Sequence, residues 1–199
     1  MTAQYRIEVL AESHDRAAFS CGVDALDRYL KTQAGQDVRR RIANCFVAVS
    51  AGSAQVAGFY TLAAASIPLT ALTPDQVRKL PKYPVLPAAL LGRLAVDTRH
   101  AGESLERNPE KWKPVFRQIA RQSKNPEPHS DLNKMNAALG AALLFDALQR
   151  AANAAPAVFA LLVDAKDDGA ARFYRHHGFL PFVSRERSFF LPVGTALRR

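Results

Sequence analysis

The sequence predicts an α/β fold, a mixed central β-sheet with helices on both faces. Three observations carry that expectation. Apolar runs of strand length alternate with longer segments of helical period along most of the 199 residues. Two consecutive strand-like runs, CFVAVS at 45–50 and QVAGFYTLAAASI at 55–67, flank AGS at 51–53 and read as a hairpin. After that hairpin, strand and helix patterns alternate, an order that packs helices on a sheet.

Taken from the N-terminus, YRIEVL at 5–10 alternates apolar and polar residues and reads as the first strand. FSCGVDALDRYL at 19–30 reads as a helix: Val23, Leu26, Tyr29 and Leu30 share one face, and Asp24 and Asp27 sit early, where the helix dipole favours acids. The helix is expected to run on, or resume, through Lys31–Arg41. The hairpin follows. TPDQVRKL at 73–80 has Thr73 to cap, Pro74 at the first helical position and Gln76 where a capping box needs it. PKYPVLP is an extended, proline-held connection, and AALLGRLAVD at 88–97 is a central strand. LGAALLFDALQRAA at 139–152 is a helix with a broad apolar face, and VFALLVD at 158–164 is a buried strand. DDGAARFYRHHGF at 167–179 is a helix with Asp167 as its cap and Gly178 as its left-handed stop. RSFFLPV at 187–193 is an edge or penultimate strand. The order is β, α, β, β, β, α, β, α, β, in one domain over 1–199.

Composition narrows the function classes. The chain lacks 18 consecutive apolar residues, so no membrane span is expected, and MTAQYRIEVL is no secretory signal. Cys21 and Cys45 show no metal-ligand spacing and read as reduced thiols of a cytoplasmic protein, with no metal site expected. The net charge is +9, gathered in clusters: Arg39–Arg41, then Arg78, Lys79 and Lys82, then Arg185 and Arg187. Discrete clusters suit phosphate contacts, although charge alone also fits a merely solvated surface.

Three segments make the chain recognisable. GRLAVDTRHAG at 92–102, LGAALLFDALQRA at 139–151 and AARFYRHHGF at 170–179 resemble signature segments of the GNAT acetyltransferase superfamily. FSCGVDALDRYL, GFYTLAAASI and YPVLPAALLGRLAVD sharpen the resemblance toward the GNAT toxins of bacterial toxin–antitoxin pairs. The resemblance implies the GNAT fold and transfer of acetyl from acetyl-CoA to the α-amine of an aminoacyl-tRNA. It also implies a ribbon-helix-helix antitoxin as partner, and homodimers are common in that branch. Residue by residue, Tyr174 matches the family tyrosine that protonates the departing thiolate. Leu94, Ala95 and Val96 match the strand that pairs with the pantetheine arm through its main chain. Ala101, Gly102, Leu139 and Gly140 match the pyrophosphate turn and the helix it opens, and Asp167 and Phe173 match the helix on the cofactor's sulfur side. Asp167 reads first as a structural cap. Arg39, Arg40, Arg78, Lys79 and Arg93 are the candidates for contact with tRNA, and Arg93 equally fits the edge of the core.

One departure from the family pattern stands out. Arg99–Gly102 begins the turn, and about 35 residues, 103–137, intrude before Leu139 and Gly140 resume it. Three outcomes stay open. The insertion bulges outward and the turn closes across it; or 133–138 supplies the helix N-terminal amides instead; or the cradle is lost. The first is cheap in chain entropy, because closing a loop grows only logarithmically in cost with length. A lost cradle would leave a degenerate GNAT domain that binds RNA or protein. A further alternative is a GNAT enzyme acting on a small amine or a protein N-terminus.

Overall fold

A computed structural model of the protein describes residues 5–50, 52–100, 137–183 and 185–196. Ala101, Gly102 and nearly all of the insertion lie outside the described residues. Seven strands form one mixed sheet: β1 (Tyr5–Val9), β2 (Asn44–Ser50), β3 (Val56–Pro68), β4 (Val85–Val96), β5 (Ala160–Asp164), β6 (Leu180–Pro181) and β7 (Ser188–Pro192), in the order β1-β2-β3-β4-β5-β7-β6. The expected hairpin is the antiparallel pair β2–β3, in which Phe46 faces Tyr60 across the ladder. β4 is the central strand and β7 is penultimate, as the sequence predicts.

The helices are α1 (Asp24–Arg28), α2 (Ala34–Arg39), α3 (Pro74–Val77), α4 (Ala137–Ala152), α5 (Asp168–His176) and α6 (Val193–Ala196), with one π-turn over Tyr29–Gln33 joining α1 to α2. The first helix starts at Asp24, not at Phe19. Gly22 takes φ 79°, and the Cys21 N–H donates to Asp27 Oδ1 at 2.8 Å, so the chain before Asp24 is held outside the helix. Phe19 is spent on the core instead, 1% exposed. The capping box at α3 forms as expected: Thr73 Oγ1 accepts the Gln76 N–H and Gln76 Oε1 accepts the Thr73 N–H at 2.8 Å. β4 starts at Val85, inside the segment read as a proline-held connection. Prolines are tolerated there because Pro87, exposed on one side, still offers its carbonyl, which accepts the Phe159 N–H at 2.8 Å. The short β6 follows directly on Phe179, where the sequence reading has a new strand begin after the helix-stopping Gly178.

The chain divides into two compact units. The first holds 5–63, 91–100 and 137–147; its core gathers Phe19, Tyr29, Leu30, Val47, Val49 and Phe59. The second holds 64–90 and 148–196; its core gathers Ile67, Leu72, Leu86, Ala88, Ala160 and Phe190.

In the first unit α4 lies hard against β3. A Cβ on Gly58 would stand 2.9 Å from Leu143 Cδ1 and 3.1 Å from the Ala95 carbonyl oxygen. The oxygen cannot move as a side chain tip can. Gly58→Ala is therefore expected to cost about 1–3 kcal/mol, read as a fall in Tm of roughly 2–4 °C per kcal/mol. A Tm equal to wild type would show that α4 shifts freely.

Candidate active site

Tyr174 is placed by the helix that the sequence marks most clearly. Asp167 takes the N-cap, its Oδ1 accepting the Ala170 N–H at 2.8 Å, and Lys166 Nζ sits 3.1 Å from its other oxygen. The helix ends where Gly178 adopts φ 82°; the Gly178 N–H bonds the Arg175 carbonyl and the Phe179 N–H bonds the Tyr174 carbonyl. Between these ends Ala171 and Tyr174 face inward. Phe173 and Phe179 contact the Tyr174 ring edge-on or tilted, with centroids at 5.3 and 5.4 Å.

Five tyrosines occur in the chain, and their hydroxyls have different fates. Tyr29 donates to Asp37 Oδ2 at 2.9 Å, Tyr60 donates to Asp146 Oδ2 at 2.5 Å, and Tyr5 meets His100 Nδ1 at 2.9 Å. Tyr83 is exposed. Tyr174 is 8% exposed, yet among the described residues nothing bonds its hydroxyl, and no described buried polar atom is left unpaired. The Tyr174 hydroxyl thus stands without a described partner at the end of a buried ring. Burial pushes the phenol up to about 12, so it carries its proton at any neutral pH. One turn on, His177 is also buried. Burial holds it down to about 4, and as a neutral ring it donates from Nδ1 to the Phe173 carbonyl at 2.8 Å. His177 fixes the helix end and is no competing acid.

At the end of β4, in the first unit, Leu94 and Val96 are half-buried and Ala95 is buried. Leu139 and Gly140 are buried on α4, and a Cβ on Gly140 would stand 3.9 Å from Val96 Cγ2, an ordinary contact. α4 thus packs closely on the strand matched to the pantetheine arm. The next residue on β4's path, Asp97, was not singled out by the sequence reading. It is fully buried and accepts four bonds: the Ser20 N–H at 2.9 Å, the Arg99 N–H at 2.9 Å, Arg99 Nε at 2.9 Å and Arg99 Nη2 at 2.8 Å. Arg99 Nη2 also donates to the Ala18 carbonyl. Burial alone would raise the Asp97 carboxyl, but these donors outweigh it and hold the group at about 2. Arg99, the first residue of the expected phosphate turn, is accordingly turned onto protein. The signal was present as an acid and an arginine two apart at a strand end, which by itself reads as a surface pair.

The tRNA candidates separate. Arg39 and Arg40 are exposed at the end of α2, and Arg78 and Lys79 are exposed after α3 in the other unit. Arg93 is half-buried, and its guanidinium carbon lies 3.6 Å from the centroid of the Tyr29 ring. It therefore occupies the core edge. Among the described residues no group of three His, Cys, Asp or Glu side chains gathers to hold a metal, and no helix is long and apolar enough to cross a membrane.

No protein-family model matches the chain. Individual relatives do. A "tRNA-acetylating toxin" of Mycobacterium tuberculosis is 31% identical over 172 residues, 85% of this chain and 81% of that protein. A "probable toxin TacT" of Sinorhizobium fredii is 25% identical over 191 residues, 92% of this chain and 87% of its own. Among solved structures, AtaT complexed with acetyl-methionyl-tRNAfMet superposes with a TM-score of 0.71 at 25% identity, covering 96% of each chain. A tyrosine-to-phenylalanine mutant of AtaT, bound to the C-terminus of the antitoxin AtaR and acetyl-CoA, gives 0.64 at 22% identity over 97% of this chain and 96% of that one, a likeness of fold. With the helix-borne phenol, the β4–α4 packing and a relative of this identity and coverage in hand, the chain belongs to the GNAT acetyltransferase family of tRNA-acetylating toxins.

Proposed function

We propose that this chain transfers the acetyl group of acetyl-CoA to the α-amine of an aminoacyl-tRNA and so stops translation as a toxin. The observation that carries the reading is the Tyr174 hydroxyl, protonated at neutral pH and bonded to no described residue. Acetyl-CoA is the co-substrate. Main-chain groups of Leu94, Ala95 and Val96 hold its pantetheine arm, and Ala101, Gly102 and the start of α4 near Leu139 and Gly140 receive its diphosphate. Asp167 caps the helix on which Phe173 and Tyr174 stand, and Phe173 walls the sulfur side.

The acceptor suits a site with no strong base. An α-amine has a pKa of about 8, against roughly 10.4 for lysine, so a useful fraction is already neutral. Its nitrogen attacks the thioester carbonyl carbon, the C–S bond breaks, Tyr174 gives its proton to the leaving sulfur, and the surplus proton of the new amide nitrogen passes to solvent, from which Tyr174 is reprotonated. Burial that raises the phenol also disfavours a bare thiolate, so the two groups stay matched despite the upward shift. Arg39, Arg40, Arg78 and Lys79 contribute phosphate contacts, with Arg93 held back on Tyr29. A ribbon-helix-helix antitoxin is the expected partner, a homodimer the expected assembly, the cytoplasm the place of action, and the 199 residues one functional domain.

The test is direct. Labelled acetyl-CoA is incubated with the protein and a mixture of charged tRNAs. Label should enter the tRNA and leave with the amino acid under mild alkali, which cleaves the aminoacyl ester. Label on uncharged tRNA, or none at all with acetyl-CoA bound, would exclude this acceptor. No thermal shift with acetyl-CoA would favour a binding module instead.

A further inference from the structure

Helix α4 carries one residue at odds with its composition. From Ala137 to Gln149 every side chain is uncharged except that of Asp146, and its neighbours Leu143, Ala147 and Leu148 are buried. Asp146 is half-buried, where a carboxylate weakens the helix and loses hydration. Its partner accounts for it. Tyr60, fully buried on β3, donates its hydroxyl to Asp146 Oδ2 at 2.5 Å. The Tyr60 ring is itself held, stacked on Phe46 of β2 with centroids 5.0 Å apart and planes at 22°. Two residues earlier on the same face of β3, the bare Cα of Gly58 lies under Leu139 and Leu143. Leu139, Leu143 and Asp146 thus form one stripe along β3, with apolar contacts toward the helix start and the polar bond further along.

We propose that the Tyr60–Asp146 bond is the axial stop of α4, and that these two are positioning residues for acetyl-CoA: they set where the start of α4, at Leu139 and Gly140, stands against the main chain of β4 at Leu94–Val96. The inference rests on the cofactor contacts proposed above and names what holds them in register. Apolar burial is non-directional, so a stripe of leucines alone fixes the height of a helix over a sheet better than its position along it. At the helix start nothing else locks that position. A Cβ on Gly140 would meet Val96 Cγ2 only at 3.9 Å, an ordinary contact. A short bond between a phenol and a carboxylate, by contrast, weakens steeply with displacement. An α-helix is stiff over two turns, so a point held at Asp146 also holds Gly140, about 9 Å up the axis. Main-chain N–H groups that meet an anion at a helix start depend on that placement.

Tyr60→Phe tests this, because it keeps the ring and its stack on Phe46 and removes the hydroxyl alone. KM for acetyl-CoA should rise about 10-fold, the factor of one weakened bond to a charged group, while kcat and KM for the aminoacyl-tRNA stay within about twofold. Asp146→Asn still offers an oxygen to Tyr60 and should remain close to wild type. The double variant Tyr60→Phe, Asp146→Leu separates position from stability. With both polar groups replaced by apolar ones, its Tm should equal or exceed that of wild type, yet KM for acetyl-CoA should keep its rise. A KM that recovers together with Tm, or a Tyr60→Phe enzyme with unaltered KM, would overturn the proposal and leave the bond a purely structural one. If the wild-type protein shows no binding of acetyl-CoA, the cofactor reading fails, and NMR of the whole protein decides the positioning. Amide signals of Leu139 and Gly140 that move in Tyr60→Phe and stay in place in Asp146→Asn would uphold it, and signals unmoved in both would end it.

Discussion

Replacing Tyr174 with Phe should lower turnover by about 100-fold or more and leave acetyl-CoA binding within a factor of about two. The expectation follows from what the hydroxyl does not do. It bonds to no described residue, so its removal breaks no bond among the described residues, and the buried ring that packs against Phe173 and Phe179 remains. Thermal stability should therefore move little, by less than about 2 °C. A large loss of rate with unchanged Tm and unchanged cofactor affinity is the signature of a group used only as the C–S bond breaks. The pH profile gives a second check. Because burial sets the phenol at about 12, turnover should rise through the ionisation of the acceptor amine near pH 8 and show no fall from tyrosine ionisation before the protein itself is lost in alkali. A variant with wild-type turnover would remove Tyr174 from the reaction and leave it a packing residue.

Much of this was legible in the residues, for identifiable reasons. The hairpin, the central strand and the helices α4 and α5 each have either strict periodicity or chemical end signals, and local physics fixes both. Tyr174 was legible through its surroundings: Asp167 starts its helix, Gly178 stops it, and the three-residue steps from Ala171 to Tyr174 to His177 put them on the buried face. The start of α1 was not legible, because Phe19–Val23 has helical composition. What keeps it out of the helix is the turn at Gly22 with the Cys21–Asp27 bond, together with the bond from Ser20 N–H to Asp97, 77 residues away. Arg93 could not be placed either, since whether a strand arginine meets solvent or an aromatic face depends on Tyr29, delivered by another element. Long-range pairings enter both, and no window of sequence contains them.

Asp97→Ala should be among the most damaging single changes in the chain, costing about 3 kcal/mol and lowering Tm by roughly 6–12 °C at neutral pH. Four donors lose their acceptor at once, and two of them, the Ser20 and Arg99 N–H groups, are main-chain. The pH dependence separates charge from packing. Burial tends to raise this carboxyl, yet the bonds from Arg99 and Ser20 hold it at about 2 in the fold, against about 3.9 in an open chain. A depressed folded pKa means the unfolded chain binds the proton more readily. The stabilisation is therefore complete above about pH 4 and drains away as pH falls through 2. It amounts to about 2–3 kcal/mol at pH 7, and roughly half of it remains at pH 3. Unfolding free energies of wild type and variant, measured at pH 7 and pH 3, should accordingly converge. A gap that stays constant would mean that the site is held by shape and not by charge. Asp97 thereby ties the end of β4 to the segment 18–20, directly through the Ser20 N–H and by way of Arg99 to the Ala18 carbonyl.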